Sequence, residues 1–270
     1  VFLNTRLGSF QKTAQLLKPG KIPINMASGD FNEDGNLDLV VTLRFSNVAV
    51  ILGKGNGFFS EPYSMNVKGQ PTAVLVGDYD KDGKTDVAVA LAGNGNKGVQ
   101  VLWGKGDGKF EGSKAFKGGK QPLSLVSLDV NNDGLMEFVT SSNSLHALTT
   151  LINNGDKTFK SLRDFASGNF PKFVVAADFT GDGLQDIAVS NSTDDHVSVS
   201  LGRGDGTFTY PPIYHPVDQH PQGMAVADFN GDGLLDIAVS CRDKNLIDIL
   251  SKKNMINPKP DLPIDPTKPS

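Results

Sequence analysis

The sequence has a single cysteine in 270 residues, which leaves no disulfide framework and no multi-cysteine zinc site. No apolar run approaches the ~18 residues of a membrane-spanning helix. Helical periodicity is absent beyond runs of about ten residues. Aromatics are scarce at 8%, with one tryptophan. The net charge of −4, from 26 basic and 30 acidic residues, lacks the basic excess of a dedicated nucleic-acid binder, so no nucleic-acid partner is expected. What the chain has in quantity is turn formers, 30 glycines and 15 prolines. That is above average and short of low complexity.

The turns recur with a period. Asp30-Phe-Asn-Glu-Asp-Gly-Asn-Leu-Asp38, Asp78-Tyr-Asp-Lys-Asp-Gly-Lys-Thr-Asp86, Asp129-Val-Asn-Asn-Asp-Gly-Leu-Met-Glu137, Asp178-Phe-Thr-Gly-Asp-Gly-Leu-Gln-Asp186 and Asp228-Phe-Asn-Gly-Asp-Gly-Leu-Leu-Asp236 are one motif five times, roughly 50 residues apart. Pro23, Pro71, Pro122, Pro171 and Pro221 stand at one fixed offset before them. A short apolar run follows each motif, then a polar stretch, an alternating run such as 99–103 or 197–201, and a Gly-rich turn ending on an aromatic (53–58, 104–110, 153–159, 202–208). β-Branched runs bounded by Gly, Asn and Asp read as strands joined by tight hairpins. Four short strands per unit predict an all-β fold, a β-propeller of four-stranded blades. A lone blade cannot bury its apolar face, so blades must stack. Five blades are recognisable, with part of another in residues 1–10. The propeller is assigned to residues 1–254, and the Pro-rich stretch 255–270 to an extended tail or linker. The non-Met start, Val1, suggests a processed or truncated chain.

The acidic loops carry the chemistry. Carboxylates at positions 1, 5 and 9 are Asp30, Asp34 and Asp38; Asp78, Asp82 and Asp86; Asp129, Asp133 and Glu137; Asp178, Asp182 and Asp186; and Asp228, Asp232 and Asp236. Position 3 adds Asn32, Asp80, Asn131, Thr180 and Asn230, and the position-7 carbonyls are those of Asn36, Lys84, Leu135, Leu184 and Leu234. All-oxygen sets with three or more carboxylates suit Ca2+, up to five ions in all. Unpaired carboxylates packed together repel unless a cation offsets them. An EF-hand would need glutamate at position 12, where Val41, Val89, Thr140, Val189 and Val239 stand. The fourth carboxylate, Asp80, predicts the tightest ion in the second loop, and Thr180 the weakest in the fourth.

These loops, with the Leu-Gly-x-Gly-Asp-Gly-Thr-Phe turn at 201–208, resemble the FG-GAP or VCBS repeat over roughly residues 1–250. That repeat builds calcium-binding propellers of integrin α-subunits, bacterial surface proteins and fungal lectins. The resemblance implies Ca2+ at the first hairpin of each blade and an extracellular, cell-surface or periplasmic setting. It does not choose among adhesion modules, lectins and accessory domains of secreted enzymes.

No catalytic site is expected. The Gly-x-Gly-x-Gly runs precede no helix that could cradle phosphate, Cys241 follows a buried run, and His146, His196, His215 and His220 share no metal spacing. Asn191-Ser-Thr is a glycosylation sequon. Loops opposite the acidic motifs vary between repeats. They nominate Arg44, Phe45, Asp194, Asp195, His196, Arg242 and Lys244, with the 94–97 and 143–146 turns, as a partner face. The expected function is a calcium-stabilised protein-interaction or assembly module. A glycan-binding propeller is the alternative, and an accessory domain of a secreted hydrolase or lyase the third reading. A lectin wants an aromatic platform in every blade, yet the equivalents of Trp103 are Leu52, Ile152 and Leu201. Five bound Ca2+ would turn −4 into +6, so an anionic protein or glycan partner is compatible with the loaded chain.

Overall fold

The computed structural model describes residues 2–4, 9–12, 15–93 and 98–252; the 94–97 turn and the 255–270 tail lie outside them. Every named element is a β-strand. β1 (Phe2–Asn4) and β2 (Phe10–Lys12) form a two-stranded hairpin. Sheet one runs β3 (Pro23–Gly29), β4 (Asp38–Leu43), β5 (Asn47–Ile51) and β6 (Tyr63–Asn66). Sheet two holds β7 (Gln70–Gly77), β8 (Asp86–Ala92), β9 (Val99–Gly104) and β10 (Phe110–Phe116). Sheet three holds β11 (Pro122–Leu128), β12 (Glu137–Ser142), β13 (Ala147–Asn153) and β14 (Phe159–Ser161), with β15 (Phe165–Ala166) also on β13. Sheet four holds β16 (Pro171–Ala177), β17 (Asp186–Asn191), β18 (His196–Ser200) and β19 (Ile213–Pro216). Sheet five has three strands among the described residues, β20 (Pro221–Ala227), β21 (Asp236–Cys241) and β22 (Leu246–Leu250). All pairings are antiparallel and, apart from β13 with β15, join sequence neighbours, as hairpin connections require.

The recurring prolines have one structural place. Each sits at the start of its sheet's first strand and pairs with the end of the second, Pro23 with Leu43 and Pro171 with Asn191, and the register shifts just after it in all five sheets. Proline donates no ladder hydrogen bond, so a strand end beside a bulge tolerates it. The aromatic ending each Gly-rich turn closes the next hairpin: Phe110 faces Gly104, Phe159 faces Asn153 and Phe208 faces Gly202. In the first repeat that residue is Phe59, facing Gly53, rather than Phe58 at the expected boundary.

The chain divides into two compact units, Val1–Asp129 with Asp133–Ala166, and Val130–Asn132 with Ser167–Ser270. In the first, Phe31, Val40, Val48 and Val50 of sheet one pack on Val74, Val87 and Val89 of sheet two. Ala88, Ala90 and Val101 of sheet two pack on Leu125, Phe138 and Leu151 of sheet three. In the second, Phe179, Val197 and Val199 pack on Met224, Ile237 and Val239. Each sheet thus buries its face on a neighbour, the stacking that a repeat unit too small for its own core requires. Position 2 of the acidic motif belongs to this layer. Phe31, Tyr79 and Phe179 are 1% exposed, whereas Phe229 of the fifth loop is 48% exposed.

Candidate metal loops

Each acidic motif forms the loop between the first and second strands of its sheet, and one hydrogen-bond skeleton recurs in all five. The position-1 aspartate accepts the N–H of the position-6 glycine at 2.8–2.9 Å, from Gly35, Gly83, Gly134, Gly183 and Gly233. Its other oxygen accepts the position-5 N–H at 3.2–3.3 Å. The position-5 aspartate accepts the position-7 N–H at 2.7–2.9 Å. Glycine at position 6 has φ of +78 to +86° in every loop, a conformation that other residues adopt at a cost. The loop wraps its backbone around its own first carboxylate.

Position 9 does something different. Asp38, Asp86, Glu137, Asp186 and Asp236 are fully buried. In the aspartates one oxygen accepts the N–H of position 2, at 2.8 Å from Phe31 and 2.9 Å from Tyr79 and Phe179. The other accepts an N–H at the far turn, at 2.7 Å from Gly53 and Gly104 and 2.8 Å from Gly202. This carboxylate clamps the acidic loop to the Gly-rich turn of the same sheet. Leaving two buried N–H donors unpaired would cost about 1–3 kcal/mol each.

The electrostatics separate the two roles. Burial pushes the Asp86 carboxyl up to about 6, and burial raises Asp38 and Asp186 as well. The N–H of Gly233 leads the interactions holding Asp228 low. Burial opposes ionisation of Asp178, yet the N–H groups of Gly183, Gly181 and Asp182 hold it below the ordinary range. The N–H of Asn36 and the amide of Asn32 lower Asp34. Positions 1 and 5 lie in the loop nearer solvent, and position 9 is the buried anchor.

Donor chemistry in every loop is that of a hard cation, carboxylate and amide oxygens without nitrogen or sulfur. Each carboxylate retains lone pairs beyond those its N–H donors use. In the second loop, ligand oxygens of Asp78, Asp80 and Asp86 lie within 4.8 Å of one another, the one such acidic trio among the described residues. In the fourth, the Thr180 hydroxyl donates to Asp178 Oδ1 at 3.3 Å. Asp80, the additional acid, meets a residue that the sequence did not single out. Lys157 Nζ lies 2.8 Å from Asp80 Oδ2 and 5.4 Å from the centre of the Trp103 ring.

At the opposite ends of the sheets, the structure gives several nominated partner residues internal work. Asp194 accepts the backbone and side-chain N–H groups of Asn169 at 2.6 and 2.9 Å. Asp195 accepts the His220 N–H at 2.9 Å. His196 Nδ1 lies 3.1 Å from the Asp194 carbonyl, and its ring meets Tyr214 edge-on at 4.7 Å. Arg44, Phe45, Arg242 and Lys244 are exposed, with Arg242 paired to Asp243 at 3.0 Å. Asn191 of the sequon is fully buried and donates to Ser198 Oγ at 2.9 Å, so the folded chain offers no glycan acceptor there. Cys241 is buried, and burial together with Asp248 pushes its thiol up to about 11, far from a reactive thiolate at neutral pH. No helix among the described residues is long and apolar enough to cross a membrane.

The model of the FG-GAP-like repeat matches residues 30–89, 81–140, 129–189 and 178–239. No curated protein sequence matches the chain. Solved structures do. The BBS1 N-terminal region, crystallised in complex with ARL6, aligns at TM-score 0.56 and 12% identity over 82% of this chain and 63% of its own. A functionally unknown protein from Desulfotomaculum acetoxidans aligns at 0.59 and 14%, over 90% of this chain and 74% of that one. The V. cholerae biofilm matrix protein Bap1 aligns at 0.51 and 19%, over 78% of this chain and 31% of its own. The chain therefore spans under two thirds of the BBS1 and Bap1 chains.

Proposed function

The chain belongs to the FG-GAP-like repeat family, and from that premise we propose that it is a calcium-stabilised β-propeller segment working outside the cytoplasm as a protein-interaction or assembly module, without chemistry of its own. The observation that carries the calcium reading is the repeated loop skeleton. Five times, two carboxylates are gathered at the loop while a third is buried behind them, and in three sheets that third one is tied to the Gly-rich turn. A cation there would be held by positions 1, 3 and 5, the position-7 carbonyl and position 9. It would neutralise the loop and fasten it to the Gly-rich turn. Millimolar extracellular calcium fills modest sites of this kind, whereas cytosolic calcium does not.

Sheets stacked on their neighbours within each unit, with the acidic loops at one end of each sheet and variable turns at the other, support a scaffold that presents turns to a partner. The BBS1 region was crystallised with a protein partner and Bap1 is a matrix protein, which favours protein binding over catalysis for this chain. Trp103, 5% exposed, cannot serve as an open sugar platform. Calcium binding followed by calorimetry, with a glycan array read in the same buffer, tests the proposal. Uptake of several equivalents with a silent array is expected. Absence of calcium uptake would remove the metal reading, and binding to a set of related sugars would replace protein interaction with lectin activity.

A further inference from the structure

Two departures from the repeat pattern meet in space. In three Gly-rich turns the fifth residue is a glycine with positive φ, Gly57, Gly108 and Gly206, at +76 to +87°. The third turn has Lys157 at that position, at φ +63°. A left-handed conformation costs a residue with a Cβ about 1–2 kcal/mol, and here that residue's side chain is engaged. Its ammonium lies 2.8 Å from Asp80 Oδ2, in the acidic loop of the preceding repeat, and over the indole of Trp103. Asp80 is in turn the one acid at position 3, where the other loops have Asn32, Asn131, Thr180 and Asn230. Its side chain is 3% exposed. The same neighbourhood is rewired elsewhere. Glycine N–H groups of the Gly-rich turns bond the position-2 carbonyls of other loops, Gly108 to Phe31 at 2.7 Å and Gly206 to Val130 at 3.2 Å. In the second loop the Tyr79 carbonyl is taken instead by Asn153 Nδ2 at 2.7 Å, leaving the lysine free to reach the carboxylate.

We infer that Lys157 is a resident cation of the second loop, a tethered ammonium that neutralises Asp80 and competes with a metal ion for it. The inference rests on the calcium reading of the loops. It reverses the expectation that the fourth carboxylate makes this loop the tightest: Asp80 is balanced within the protein, and the loop holds its shape with less help from metal. An ion entering the trio Asp78, Asp80 and Asp86 must displace the ammonium or share the carboxylate with it. The place of a metal in one of five loops is thus partly filled by the chain itself.

The single tryptophan makes this site separately observable. Trp103 is followed by Gly104, whose N–H bonds Asp86 Oδ1 at 2.7 Å, so terbium luminescence sensitised through tryptophan reports the second loop. In K157M, which keeps the aliphatic stem on the indole and removes the charge, terbium should fill this loop at a concentration about tenfold lower than in the wild type. In excess chelator K157M should melt about 2–4 °C lower, and saturating calcium should recover the loss. K157R, keeping the charge, should track the wild type in both assays. An unchanged or raised terbium midpoint in K157M overturns the competition, and an unchanged melting temperature in chelator overturns the resident cation. If no variant binds terbium but K157M still melts lower, the metal reading fails while the lysine keeps its neutralising role.

Discussion

Asn153 stands where three other repeats have glycine, and its backbone N–H points at Glu137 Oε1, 3.4 Å away, the one glutamate among the position-9 acids. In those three repeats a Cβ built on Gly53, Gly104 or Gly202 would lie 2.2–2.3 Å from the carbonyl oxygen of Leu37, Thr85 or Gln185. No side chain fits there without moving the loop. In the third repeat the Cβ is present, and the glutamate has one more methylene with which to span a wider gap. Asn153 Nδ2 also donates to the Met136 carbonyl, the group that would otherwise clash, at 3.3 Å.

The two substitutions are therefore one change made in two places. E137D alone would leave the carboxylate short of the Asn153 N–H, at a cost of about 1–2 kcal/mol. E137D with N153G restores the aspartate–glycine form of the other repeats. Denaturant unfolding of the singles and the double should show the double less destabilised than the sum, by at least about 0.5 kcal/mol. Strict additivity would mean the residues are independent.

The glycines divide by what surrounds them. G202A meets the Gln185 carbonyl at 2.3 Å and should lose about 1–3 kcal/mol through forced backbone movement. G183A finds open space and pays only for its φ of +86°, about 1 kcal/mol. Urea midpoints of the two variants should fall in that order, and the reverse order would contradict the close approach of loop to turn.

Asp86 gives a pH dependence with a definite sign. Its carboxyl is raised from 3.8 to about 6 by burial, so the folded chain holds this proton more tightly than the unfolded chain. The stability it contributes is full below 3.8 and is lost as pH rises through about 6. In metal-free protein the wild type should lose melting temperature relative to D86N across that window and run parallel to it above. A constant difference would place the carboxyl in water.

Much of this was legible in the sequence because it is local and repeated. The prolines mark the first strands, position 9 opens the second strand in all five sheets, and the Gly-rich turn precedes the last. A period-two pattern and a fixed motif survive inspection without coordinates. The division of labour within the motif was not legible. Nothing in the string distinguishes Asp38, buried and doubly bonded, from Asp34, exposed at the loop tip. Burial depends on which neighbour covers the position. The Lys157–Asp80 pair joins different repeats, and only the coincidence of two departures, a lysine replacing a turn glycine and an acid replacing an amide, could have suggested it. Loop variation nominates Asp194 and Asp195 for a partner, but it cannot reveal their internal bonds to Asn169 and His220, which lie in connections outside their own turn.

Cations holding the acidic loops are what the proposed function depends on. Melting in excess chelator and in a calcium series tests it most directly. A site filled to a hundredfold its dissociation constant adds about 2.7 kcal/mol, so the melting temperature should climb with the logarithm of free calcium and drop by many degrees in chelator. Superimposable curves with and without calcium would contradict it.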